Sequence, residues 1–267
     1  MDRVEVHKHF QGEVDKLKVE EIDNTNPEYE ENIRKRIAAI VRYAIFSHRW
    51  VIGEPTFTNM MGGIPLELKK ESGYINLEKF CGRAHSMGYS FAWSDSCCID
   101  KHRSSELDEA IRSMFRWYRH SHICIAYLGQ THSIEDMGQD QWFKRAWTLQ
   151  ELIAPLHLKF YTADWKELCP GQPNDKVPGQ LLTKLSTITT IPEHDITDFS
   201  PGTDRISEKM SWAGTRRTTH VEDVAYSLIG IFDVSLVIAY GEGRHAFFRL
   251  MEAIIQRCNH WDIFAWK

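Results

Sequence analysis

The segment RAWTLQELIAP, Arg145 to Pro155, sets a single carboxylate, Glu151, among Trp147, Leu149, Leu152 and Ile153. Such neighbours leave few ways for it to be a plain solvated charge. Immediately upstream, GQDQWFKR adds a second tryptophan, Trp142, and two cations, Lys144 and Arg145. An acid held between aromatic rings and cations suits chemistry on a cationic or phosphate-bearing ligand. The same residues also fit an amphipathic helix with Glu151 on its solvated face. The segment by itself is compatible with both.

Three other stretches carry groups that could join it. Ser47-His48-Arg49-Trp50 offers a hydroxyl, an imidazole, a guanidinium and a ring. His48 suits proton transfer or plain loop hydrogen bonding. SDSCCIDK holds Asp95 and Asp100 around vicinal cysteines. Asp95 could orient Ser47 or His48, or either acid could cap a helix near Ser105. A thiol nucleophile would have to be Cys98 working with His48 or His102, which little else supports. MSWAGTRRTTHVED contributes Trp212, Arg216, Arg217 and Asp223. It could fold over a sheet edge to complete a pocket, or form a salt-bridged corner. YGEG, Tyr240 to Gly243, reads as a tight turn before a helix, with a phosphate cradle as the alternative.

The surrounding pattern says what must position these groups. Ile33, Ile37, Ile40 and Val41 recur at helical spacing and lead into YAIF, Tyr43 to Phe46, a buried strand followed by the Ser47–Trp50 loop. Gly53, Pro55, Gly62, Gly63 and Pro65 predict a long loop. Leu77, Phe80, Cys81 and Ala84 mark a helix that Gly88 should stop. YSFAW, Tyr89 to Trp93, is a second strand. Ser105 and Asp108 form a capping-box pattern. Leu107, Ala110, Ile111, Met114, Phe115 and Tyr118 then follow an amphipathic helical period. ICIAYL, Ile123 to Leu128, is a continuous apolar run, as strands covered on both faces require. A short WTLQEL helix stopped by Pro155 and a strand LKFY, Leu158 to Tyr161, complete the alternation.

Strand and helix thus alternate from 43 to 161. That predicts an α/β fold, a mainly parallel sheet flanked by helices, with YAIF, YSFAW and ICIAYL central. Ligands bind such sheets beyond the carboxyl ends of the strands. Ser47–Trp50, Asp95–Asp100 and the loop before Trp142 share that address. After residue 165 the signal is mostly helical: Leu181, Leu182, Leu185 and Ile188; a Thr219/Glu222 capping box leading Val221, Val224, Ala225, Leu228, Ile229 and Phe232; then Ala246 to Ile255. No linker precedes this part, so it reads as a subdomain packed on the sheet. The chain closes on DIFAW. The expected division is an N-terminal helical and charged extension (1–42), an α/β core (43–165) and a helical C-terminal part (166–267).

The 267 residues leave ample room for a core, and 42% hydrophobic with 26% charged residues excludes disorder. A net charge of −5 argues against nucleic-acid partners. No apolar run approaches a membrane span, and the N-terminus lacks the apolar core of a secretion signal. The six cysteines are scattered, without CxxC or zinc spacing, so reduced thiols, no metal and a cytoplasmic location are expected. Walker, HExxH and GxGxxG patterns are absent.

Together, YAIFSHRW, FAWSDSCCIDK, AIRSMFRWYRHSHICIAYL, WFKRAWTLQELIAP, MSWAGTRRTTHVEDVAYSLIGIF, YGEGRHAFFRL and DIFAWK resemble, in order, a fungal HET (heterokaryon incompatibility) domain. That family usually has Gly after the SHxW tryptophan where this chain has Val51, with Gly53 displaced, and WID where it has Trp93-Ser94-Asp95. A weaker likeness links the core to TIR domains, whose sheet is flavodoxin-like. YAIFSHR resembles the TIR first strand with its Ser-rich end, and RAWTLQEL resembles a TIR helix whose acid is the catalytic glutamate of NAD+ cleavage. The matching position is Glu151.

The resemblance implies a self/non-self recognition effector that triggers cell death, with NAD+ or a related nucleotide as substrate and no cofactor. Nicotinamide leaves as an already activated group, so the transition state is oxocarbenium-like and one carboxylate near the ribose can stabilise it. Glu151 would be that group. Trp50, Trp142 or Trp147 would stack on a ring, and Arg49 and Arg145 would hold the pyrophosphate. Ser47, His48 and Asp95 would line the site, with Asp100, Trp212, Arg216 and Arg217 at its margin. Arg145 could instead pair with Asp136 or Asp140, and Trp147 could be a core anchor. The rival class is a non-enzymatic signalling module acting by self-association and recruitment. Under either reading the expected partners are further copies of the chain and, if it is part of a longer protein, that protein's downstream receptor domains.

Overall fold

Parallel strands must be covered on both faces, and the apolar runs here achieve that by alternation. A computed structural model describes residues 42–258. The expected helix through Ile33 and Ile40 and the closing DIFAW run lie outside the described residues. In chain order the α/β part consists of β1 (Tyr43–His48), α1 (Phe57–Gly62), α2 (Ser72–Ser86), β2 (Phe91–Trp93), α3 (Ser104–His120), β3 (Ile123–Tyr127), α4 (Trp147–Ile153) and β4 (Leu158–Tyr161). The strands form one sheet, wholly parallel, in the order β2-β1-β3-β4. This is the order of the first four strands in flavodoxin-type doubly wound sheets.

Side chains alternate across the sheet with period two. Ala44, Phe46, Ile123, Ile125 and Tyr161 point to one face and pack with Leu77, Phe80 and Ala84 of α2 and with Trp165. Ile45, Cys124, Ala126, Leu158 and Phe160 point to the other, against α3, α4 and the C-terminal helices. These helices are α5 (Gln180–Thr189), α6 (Glu193–Thr197), α7 (Ile206–Ala213), α8 (Asp223–Tyr226) and α9 (His245–Arg257). Leu185, Phe199, Ile206, Trp212, Tyr226, Leu250 and Ile254 join the same continuous core, so the helical part is packed on the sheet.

Several expectations change in detail. β1 runs two residues beyond YAIF, so Ser47 and His48 are strand residues, paired with Ala126 and Tyr127. YSFAW yields only the three residues of β2, and these form an edge of the sheet, not a central strand. Trp93 and Phe91 are only half-buried there. The glycine-rich connection after β1 contains α1, capped by Thr56 and Asn59. Neither expected capping box forms. Asp108 instead pairs with Arg112 and accepts from the Ile238 amide, and Glu222 accepts from the Gly241 and Gly243 amides at 2.8 and 3.0 Å. The helical period of 221–232 gives the four-residue α8 followed by turns. Gly230 in those turns lies so close to α3 that a Cβ there would stand 2.2 Å from Phe115 Cβ.

Candidate functional site at the carboxyl ends of the strands

The sheet order reverses between β1 and β3: from β1 the chain moves to one side to make β2, then crosses to the other to make β3. Ser47 stands at that switch point, at the carboxyl end of β1. Its hydroxyl donates to Glu151 Oε2 at 2.5 Å and accepts from Trp142 Nε1 at 2.8 Å. Trp142 is fully buried, edge-on to Phe143 and Phe160. It is therefore an anchor beneath the site rather than a stacking surface. Asp140 fixes the turn that carries it, accepting from the Trp142 amide at 2.9 Å and from Gln130 and Thr131.

Glu151 is 8% exposed, on the inner face of α4. The solvated-face alternative is thereby excluded. Burial pushes its carboxyl up to about 7, the charge of Asp95 adds to that, and Ser47, Arg145 and His48 oppose it. The Arg145 guanidinium pairs with neither Asp136, which binds the His132 and Ser133 amides, nor Asp140. It reaches toward the His48 carbonyl at 3.4 Å. Arg216 secures the segment before α4 by donating to the Arg145 carbonyl at 3.0 Å and to Thr148 Oγ1 at 2.9 Å. Burial holds its guanidinium down to about 10, with the Glu151 charge opposing. Arg217 is stitched to the same segment by its backbone, its amide to Lys144 O and its carbonyl to the Ala146 amide.

A second group lies on the loop after β1. Trp50 is 40% exposed, and its indole N–H donates to both oxygens of Asp95 at 3.0 and 3.2 Å. The Lys101 ammonium sits 3.5 Å from the ring centroid. His48 points to the opposite face of the sheet from Ser47, stacked on Phe46 at 4.0 Å between centroids. Its Nε2 donates to Glu54 Oε1 at 3.0 Å, an oxygen that also accepts from the Val51 amide. Burial would raise the Glu54 carboxyl, but His48 and the Val51 amide outweigh it and hold it below its ordinary range. His48 Nδ1 and Glu54 Oε2 are buried with no hydrogen-bond partner among the described residues.

Two glycines allow this loop its course. Gly53 has φ +78, and a Cβ there would meet Glu71 Cβ at 2.0 Å. Gly73, in the first turn of α2, donates to Ile52 O at 2.9 Å, and a Cβ on it would meet the Glu54 amide at 2.5 Å. The left-handed position of this loop falls at Gly53, two residues after Val51.

The remaining expected site residues lie apart. Asp100 accepts from the His102 amide and pairs with Arg103 at 3.4 Å, fixing the turn before α3. Trp147 is half-buried on the core and hydrogen-bonds Asp223, which also accepts from Tyr240 at 2.8 Å. Trp212 is 2% exposed, edge-on to Phe199 in the core. Arg49 is exposed beside Trp50. Sequence reasoning missed Glu54, Lys101 and Tyr118. The last donates to the Phe46 carbonyl at 2.8 Å and sits within reach of the charges of Glu151, Asp95 and Arg145. Only the tyrosine carried a usable signal, as the last apolar position of α3, whose hydroxyl needs a partner.

Fold and site therefore define a doubly wound parallel α/β domain with a buried carboxylate at its switch point. The model of the heterokaryon incompatibility (HET) protein family matches residues 43–139, short of Glu151. Over 232 residues the chain is 39% identical to the vegetative incompatibility protein HET-E-1 of Podospora anserina, a match covering 79% of this chain and 16% of that protein. The chain carries a HET domain and belongs to that family. It spans about 16% of the length of this curated relative. No solved structure matches it. Among the described residues no helix is long and apolar enough to cross a membrane, and no His/Cys/Asp/Glu group could hold a metal ion.

Proposed function

We propose that this HET domain acts in heterokaryon incompatibility as a death-inducing effector that cleaves the N-glycosidic bond of NAD+ or a related nucleotide. One observation carries the reading: a buried carboxylate, Glu151, stands at the switch point of the sheet, held by Ser47 with Arg145 near it. The likeness of RAWTLQEL to the TIR helix supports it. In the reaction, the bond between ribose C1′ and nicotinamide nitrogen breaks, and neutral nicotinamide leaves with the bonding pair. Positive charge gathers on C1′ and the ring oxygen. The ionised Glu151 stabilises that charge, water adds to C1′, and a proton is released. Trp50, oriented by Asp95, offers a surface for a ring, and Arg49 and Arg145 supply cations for the pyrophosphate.

A different observation favours the rival reading, a recruitment module. Ile52, Met61 and Leu66 are 79%, 64% and 75% exposed along the connection after β1, apolar side chains open to self-association. One experiment separates the two. Purified protein and its Glu151→Gln and Glu151→Ala variants are incubated with NAD+ and NADP+, and the same proteins are expressed in cells. Loss of nucleotide by wild type, with a fall of about 10²–10³ in both variants, supports the enzyme. Untouched nucleotides with toxicity retained would assign the domain to recruitment.

A further inference from the structure

The turn between β2 and α3 holds two adjacent thiols in different settings. Cys97 and Cys98 both donate their amides to the Ser94 carbonyl, at 3.3 and 2.9 Å, so the chain folds tightly on itself there. Cys97 is buried and Cys98 exposed. The Ser94 amide points at Cys98 Sγ at 3.4 Å, and the Cys97 thiol is carried by the adjacent residue of the same turn. We infer that Cys97 and Cys98 form an oxidant-responsive dithiol, in which Cys98 attacks a hydroperoxide and Cys97 resolves it to a vicinal disulfide. The inference stands independently of the nucleotide reading.

An amide aimed at the sulfur of an exposed residue, with a second thiol on the neighbouring residue, favours a thiolate there. The neighbouring Cys97 thiol holds the Cys98 thiol below its usual range, aided by the Ser94 amide and opposed by burial and the Asp95 charge. Cys97 is shifted in the opposite direction, chiefly by the Cys98 thiol and by burial. It therefore keeps its proton until needed. In the first step the Cys98 thiolate attacks the peroxide O–O bond. One oxygen remains as the sulfenic hydroxyl and the other leaves as hydroxide, to be protonated to water. In the second, Cys97 sulfur displaces that hydroxyl, which departs as water with the Cys97 proton. Two thiols are oxidised and one peroxide is reduced. Adjacent Cα atoms lie about 3.8 Å apart, below the usual disulfide span of roughly 4.4–6.8 Å, so the product should be strained and easily reduced. Labile disulfides of this kind are the reversible ones.

The test uses the whole chain. At pH 7, iodoacetamide should label Cys98 about tenfold faster than Cys81, the other exposed thiol near it, whose own thiol is pushed up by burial and by the Cys98 and Glu78 charges. Equal rates would overturn the inference. Hydrogen peroxide should then remove two hydrogens from the peptide containing both cysteines, reversibly with dithiothreitol. Cys97→Ser should leave Cys98 as a sulfenic acid captured by dimedone, and Cys98→Ser should leave Cys97 reduced. A Cys81–Cys98 cross-link, or oxidation of Cys98 straight to sulfinic acid in the wild type, would refute the resolving role of Cys97. The wild-type labelling and peptide masses hold even if a variant fails to fold.

Discussion

Ser47 Oγ stands 2.5 Å from Glu151 Oε2, and the direction of that bond is fixed by a third residue. The Trp142 indole can only donate, so Ser47 accepts from it at 2.8 Å and turns its single proton toward the carboxylate. Ser47→Ala would remove a donor from Glu151 and leave a buried indole N–H unpaired. The expected loss is about 1–3 kcal/mol of unfolding free energy, read from urea denaturation. Ser47→Thr, which keeps the hydroxyl and suits a strand, should recover most of it. An alanine variant as stable as wild type would mean that the relay contributes nothing to the fold.

Glu151 itself should cost stability at alkaline pH. Its carboxyl titrates at 4.5 when unfolded and at about 7 in the fold, chiefly through burial. Below 4.5 both states are protonated and the folded form keeps its advantage. That advantage is lost as pH rises through 7, by roughly 3 kcal/mol. Glu151→Gln cannot ionise, so its Tm should exceed that of wild type at pH 8 and approach it at pH 4.5. A Tm difference that is the same at both pH values would contradict a raised carboxyl.

The elements were legible where their period was strong. Ala110 to Tyr118 and the run Ile123–Tyr127 lie as their spacing demands, because each buries a whole face. Glu151 was legible as an acid among apolar residues. β2 was less so, since an edge strand needs only one neighbour and YSFAW carries no mark of that. The period through 221–232 misled because tertiary contacts prevailed: Glu222 is drawn to the Gly241 and Gly243 amides and Gly230 must clear Phe115. Trp142 and Trp147 are both tryptophans near Glu151, yet one lies under Ser47 and the other faces Asp223. Composition could not separate them. That requires knowing the path of the turn, which Asp140 sets. Glu54 was invisible because its meaning depends on His48, which the loop brings back to it only through Gly53 and Gly73.

Lys176 is a second buried charge with a predictable consequence. It is fully buried, donates to the Pro155 carbonyl, and is held down to about 7 by burial, against the influence of Cys124. The unfolded lysine is protonated below about 10.5, so the fold loses stability as pH falls from there toward 7 and stays at that cost below it. Lys176→Met, of similar length without the charge, should raise the urea midpoint, by more at pH 6.5 than at pH 9. The gain is on the order of 1–4 kcal/mol. A loss of stability, or a gain independent of pH, would show instead that the Pro155 contact outweighs the desolvation.

The pH dependence of turnover tests Glu151 through two neighbours that push it in opposite directions. If the ionised carboxylate stabilises the ribosyl cation, kcat/KM in the wild type should rise about tenfold per pH unit up to about 7 and level above it. Asp95 raises the Glu151 carboxyl by its charge, so Asp95→Asn should move the acid limb to lower pH. Ser47 lowers it by donation, so Ser47→Ala should move the limb to higher pH. Asn at 95 can still accept one hydrogen bond from the Trp50 indole, which limits the loss of ring orientation to a change in KM. A positively charged nicotinamide ring near Glu151 would favour its ionised form, so the limb in kcat should lie below that in kcat/KM. No structural acid gives this pattern. Limbs that stay at one pH in wild type and both variants would show that some other group titrates, and would remove Glu151 from the chemistry.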